Sequence, residues 1–175
     1  MEGLIQFPDV TGDAAQGYWS AFWMLGEAFR GNYLNWPSVG EIDIVENVNG
    51  MNIANSTLHC GILRYGPCNE TTGLGEHLSG LKPSIQSAFH TYRVELDTSL
   101  SPQEMRFSVN GDNFYTIKSD QFDDQTWKDA TDHSFFIILN VAIGGGWPGL
   151  PNKNTESDHP MLVDYVRVYT HDGAK

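Results

Sequence analysis

Basic residues are scarce in this chain. Ten Lys and Arg stand against 22 Asp and Glu in 175 residues, a formal net charge of −12. A phosphate backbone demands a basic surface, so a nucleic-acid partner is excluded. Long apolar runs are missing too. Stretches such as Phe135 to Leu139 fall far short of the roughly 18 residues that a membrane-crossing helix needs, and no membrane partner is expected. Met1-Glu2-Gly3 leads straight into strand-like residues without a basic start and an apolar run, so no secretory leader is expected in these residues. Cysteine is nearly absent. Cys60 and Cys68 are the only two, separated by residues that include Arg64, Gly66 and Pro67, all suited to a turn. So near a pair points to a disulfide and an oxidising compartment, the alternative being two free thiols. No CxxC and no closely spaced His pair offers a structural zinc set.

What is present suits one all-β domain. Eighteen glycines and eight prolines are spread along the chain without a repeat or a low-complexity linker. Nine segments read as strands: 3–7, 19–25, 41–46, 53–60, 90–96, 105–109, 114–117, 135–142 and 162–169. Tyr92, Val94 and Leu96 alternate with Arg93 and Glu95, and Asn110-Gly111 is a hairpin signal because both residues tolerate positive φ. One short stretch, 120–130, is helix-like. Short strands with turns between them predict an antiparallel β-sandwich. Long loops are expected at 27–40, 61–84 and 144–160, and such loops often carry function.

The chemistry lies in Glu41-Ile42-Asp43-Ile44-Val45-Glu46. On a regular strand Glu41 and Asp43 share one face, while Glu46 falls on the other with Ile42 and Ile44. That parity would bury Glu46 in the core at a large desolvation cost. A β-bulge after Asp43 repairs it and sets three acids on one face. The outer carboxyl groups then come to about 6 Å apart, nearer the spacing of retaining than of inverting glycosidases. A solvated acidic edge or a calcium site are the rival readings of the same three residues.

These six residues resemble the E-x-D-x-x-E signature of glycoside hydrolase family sixteen, in its laminarinase-like branch. Residues 19–25, 35–40, 57–59, 140–145 and 163–169 resemble further blocks of that family in the same order. The resemblance implies a β-jelly-roll sandwich of the concanavalin A-like kind, with a sugar cleft on a concave sheet. It also implies that residues 1–175 form one catalytic domain lacking some upstream strands. Glu41 is then the nucleophile, Asp43 its assisting carboxylate and Glu46 the acid/base. Trp36, His59, Trp23 and Trp147 are expected to contact sugar, whereas Trp19 is assigned to the core. No cofactor is expected. Asp164 matches a position that holds structural calcium in some relatives, but the partner ligands belong to the missing part.

The activity implied is retaining, endo-acting cleavage of β-1,3-glucan of the laminarin type by a secreted monomer. Galactan is the rival substrate, because agarases and carrageenases share the bulged signature. A glucan-binding module and a transglycosylase are the other functions open to this fold. Intact Glu41 and Glu46 argue against the binding module.

Overall fold

The computed structural model describes residues 1–170. Ten strands occur in chain order: β1 (Glu2–Gln6), β2 (Tyr18–Gly26), β3 (Glu41–Val48), β4 (Ile53–His59), β5 (Leu74–Ser79), β6 (His90–Asp97), β7 (Glu104–Val109), β8 (Asp112–Lys118), β9 (Phe135–Ile143) and β10 (Leu162–Arg167). One α-helix, α1 (Asp124–Thr131), lies between β8 and β9, and its first turn is capped by the Asp123 carboxylate accepting from Thr126 N–H. The strands make two antiparallel sheets of five, ordered β10-β1-β6-β7-β8 and β5-β4-β3-β2-β9. This is the jelly-roll sandwich that the family resemblance implies.

Alternation decides which side chains meet between the sheets. Ile5, Tyr92, Val94, Met105, Phe107 and Ile117 come from the first sheet, with Phe7 just beyond β1, and Phe22, Ile42, Ile44, Val45, Ala54 and Leu58 come from the second. Burying a Leu, Ile, Val or Phe side chain is worth about 1.5–3 kcal/mol each, so this layer holds the sandwich together. The face of the second sheet turned away from the core is free for polar groups. Asn110 and Gly111 both adopt positive φ, 54° and 90°, and join β7 to β8 as the hairpin signal predicts.

β5 was not expected. Leu74-Gly75-Glu76-His77-Leu78-Ser79 has two residues poor in strand propensity and only two large apolar ones, so its pattern is faint. It is a strand because β4 supplies the ladder, from Ile53 opposite Ser79 to Leu58 opposite Leu74. At the other edge, β9 carries Ile137, Leu139, Val141 and Ile143 with the parity of core-facing Met24 and Phe22, yet these side chains are exposed. Leu162 and Val163 on edge strand β10 are exposed as well. The sandwich is closed at the β5–β8 end and open between β9 and β10.

Candidate active site

Glu41 opens β3, and Gly40 decides how. Gly40 has φ +69°, and a Cβ there would stand 2.3 Å from the Ala130 carbonyl oxygen of α1. Only glycine lets the chain pass under the helix at this point and turn Glu41 outward. Along β3 the register then slips. Trp23 faces Asp43, but the next β2 residue back, Phe22, faces Val45, and on the β4 side pairing shifts between Asp43 and Glu46. That is the bulge required by the parity argument, with Ile44 and Val45 both buried in the core. Glu41, Asp43 and Glu46 therefore share the outer face of the sheet.

Each outer carboxylate has its own indole. Trp36 Nε1 donates to Glu41 Oε2 at 3.0 Å, and Trp19 Nε1 donates to Glu46 Oε1 at 2.6 Å. Trp19 thus leaves the core assigned to it in the sequence and joins the site. The physical reason is the bulge, which moves Glu46 onto the face that Trp19 already occupies. Trp147 meets Trp19 edge-on, ring centroids 5.8 Å apart, and is about half exposed at the rim. Trp23 lies opposite Asp43 and donates to Asn140 Oδ1 at 2.8 Å. His59, at the end of β4, pairs with Glu41 in the ladder and sits 5.6 Å from the Trp36 ring. Its Nε2 is 3.4 Å from Asp43 Oδ2 and 4.0 Å from Glu41 Oε1. Trp36, His59 and Trp23 therefore gather around the carboxylates, and Trp147 reaches them through Trp19.

Low water access sets the proton affinities. Burial pushes Glu41 up; the His59 charge and the Trp36 hydrogen bond oppose that, and the Glu70 charge adds to it. Burial also raises Glu46, against the Trp19 hydrogen bond, and the Glu41 charge raises it further. Asp43 lies well above the ordinary carboxylate range, first through burial and then through the charges of Glu46, Glu41 and Glu70. For His59, burial favours loss of the proton, but the Glu70 hydrogen bond and the charges of Glu70, Glu41 and Glu46 outweigh it and raise its pKa. Groups so close and so strongly interacting titrate together rather than singly.

Donor atoms of Glu41, Asp43 and His59 also fall within 4.8 Å of one another, the one such cluster among the described residues. Asp164 is exposed on β10 and stands outside the cluster. Three residues escaped the sequence reading: Trp19, Asn140 and Glu70. Trp19 shares strand parity with Trp23, which was a usable signal. Glu70 sits in an irregular loop and gave none.

A family model described as XgeA-like, catalytic GH16 domain, matches residues 8–75, the span that holds the three carboxylates, Trp19, Trp23, Trp36, His59 and Glu70, while Asn140 and Trp147 lie outside it. The endo-1,3-beta-glucanase structure from Streptomyces sioyaensis superposes with TM-score 0.91 at 55% identity, covering 93% of this chain and 60% of that one. A beta-glucanase of Rhodothermus marinus is 32% identical over 89% of this chain and 53% of its own length. The chain belongs to glycoside hydrolase family sixteen. A keratan-sulfate endo-1,4-beta-galactosidase of Sphingobacterium multivorum is also similar, 36% identical over 88% of this chain and 33% of its own. The chain thus spans less than two thirds of each relative named. The cysteines Cys60 and Cys68 form a disulfide beside the site. No helix among the described residues is long and apolar enough to cross a membrane.

Proposed function

We propose that this family-sixteen chain hydrolyses internal β-1,3 bonds of a laminarin-like glucan with retention of configuration. The observation that carries the reading is the bulge in β3, which sets two carboxylates on one face with a third between them and a separate indole on each outer one. Glu46 protonates the glycosidic oxygen as a Glu41 carboxylate oxygen attacks the anomeric carbon. The carbon–oxygen bond to the leaving sugar breaks, and a glycosyl ester on Glu41 remains. With Glu41 esterified, its charge no longer raises Glu46, so Glu46 persists as the carboxylate left by the first step and takes a proton from the attacking water. The water oxygen bonds to the anomeric carbon, the ester breaks and Glu41 leaves as a carboxylate. Asp43, buried between them with its proton affinity raised by burial and by the charges of Glu46 and Glu41, faces His59 Nε2 at 3.4 Å and assists the nucleophile. Trp36, Trp23 and Trp147 offer flat apolar surfaces for sugar rings.

The similarity to an endo-1,3-beta-glucanase at 55% identity supports glucan over the galactan suggested by the keratan-sulfate relative. All three carboxylates come from one strand, so a monomer suffices. A disulfide beside the site suits secretion into an oxidising compartment. The test is a panel of laminarin, mixed β-1,3/1,4-glucan, xyloglucan and agar, with products resolved by size. Laminarin oligosaccharides of several lengths are expected, with mixed-linkage glucan slower. Products from agar alone would overturn the substrate and leave the carboxylate chemistry standing.

A further inference from the structure

Glu70 belongs neither to β3 nor to the family signature, and it lies two residues beyond Cys68. Its side chain is fully shielded from solvent. One carboxylate oxygen accepts the Cys60 N–H at 2.9 Å, and the other lies 2.8 Å from His59 Nδ1. The far ring nitrogen of His59 faces Asp43 and Glu41. A carboxylate taken out of water is costly unless its partners compensate. Here both oxygens are spent on one strand end, the residue that faces the nucleophile and the residue after it.

The groups facing His59 make it a proton holder. From β3 come Glu41, Asp43 and Glu46, and from the loop comes Glu70. Trp36 covers the ring without charge, and Gly73 lies so close that a Cβ there would come 2.9 Å from the imidazole. Neither Lys nor Arg pairs with any of these four carboxylates among the described residues, so His59 is the group that can supply positive charge.

We propose that Glu70 is a positioning residue for the glycosidase reaction: by accepting a hydrogen bond from His59 Nδ1–H, it leaves Nε2 as the ring nitrogen that gains and gives up a proton beside Glu41 and Asp43. The inference rests on the reading of Glu41 as nucleophile. When the glycosyl ester breaks, Glu41 departs as a carboxylate, and Nε2–H stabilises the charge that returns to it. Glu70 acts only through His59. A purely structural Glu70 would anchor the loop through Cys60 and leave the imidazole chemistry untouched.

The experiment is an NMR titration of the His59 ring nitrogens in the purified protein, in Glu70→Gln and in Glu70→Asp, with laminarin kinetics alongside. The unsubstituted protein is expected to show the Nδ1–H tautomer in the neutral form. Glu70→Gln keeps an acceptor for Cys60 but loses the charge, so the His59 pKa is expected to fall by about one unit or more. Glu70→Asp should recover part of that shift. On laminarin, Glu70→Gln should lower kcat by about tenfold with little change in KM, the size of a lost hydrogen bond to a charged group. Combined with His59→Gln, it should cost nothing further. An Nε2–H tautomer, an unmoved His59 pKa in Glu70→Gln, or additive losses in the double variant would overturn the proposal. The titration needs no turnover, so an inactive protein would sink the glucanase reading while the imidazole result still decides the role of Glu70.

Discussion

The indole of Trp19 donates to Glu46 at 2.6 Å, so the proposed acid/base is held by a residue two strand positions from Ala21, its ladder partner. This bond favours the carboxylate form of Glu46 and works against the burial that raises its pKa. Trp19→Phe keeps the aromatic packing against Trp147 but removes the donor. Glu46 should then hold its proton to higher pH, moving the alkaline limb of kcat/KM upward. The second step, which needs the carboxylate, should slow, with kcat down about ten- to a hundredfold. A pH–rate profile checks both, and an alkaline limb that stays in place would contradict the assignment.

Asp43 carries a stability cost that its chemistry explains. Its folded pKa lies well above the model-peptide value of 3.8, chiefly through burial. The folded state therefore keeps a proton that the unfolded chain releases, and stability falls as pH rises from that value toward the folded pKa. Asp43→Asn mimics the protonated form without the penalty. It should unfold at higher temperature than the parent at pH 8, by about 2–4 °C for each kcal/mol relieved, and show no advantage below pH 3.8. Melting curves across that range test the sign. A variant that melts lower at pH 8 would refute it. Turnover should fall in the same variant, the usual cost of a site built from buried acids.

The disulfide brackets the His59–Glu70 pair, since Cys60 follows His59 directly and Cys68 precedes Glu70 by two residues. Replacing both cysteines by serine should cost about 2–3 kcal/mol for so short a loop, a melting drop of about 4–12 °C. Well below that transition kcat on laminarin should still fall, because Glu70 loses the fixed end of its loop. Calorimetry and kinetics on the same preparation separate the two effects. Full activity in the folded double variant would mean that the bridge stabilises without positioning.

Periodicity exposed most of the sandwich, because strands with one buried face must alternate. β6 and β7 show it plainly in Tyr92, Val94, Met105 and Phe107. β5 stayed hidden because its order comes from the ladder of β4 rather than from its own side chains. In the site, the parity conflict at Glu46 is enough to require the bulge. Trp19 was misplaced because a strand tryptophan fits the core equally well until the bulge is in place. Glu70 had no local pattern at all. Its role depends on a loop that folds back across Cys60, which only three-dimensional closure reveals.

Peptide-mapped mass spectrometry after incubation with a 2-deoxy-2-fluoro β-1,3-glucosyl fluoride tests the central claim most directly. The fluorine slows breakdown of the glycosyl ester, so the covalent intermediate accumulates. The account predicts one added glycosyl unit on Glu41, absent in Glu41→Gln. A label on Asp43 or Glu46 instead, or hydrolysis with inverted configuration and no label, would contradict it.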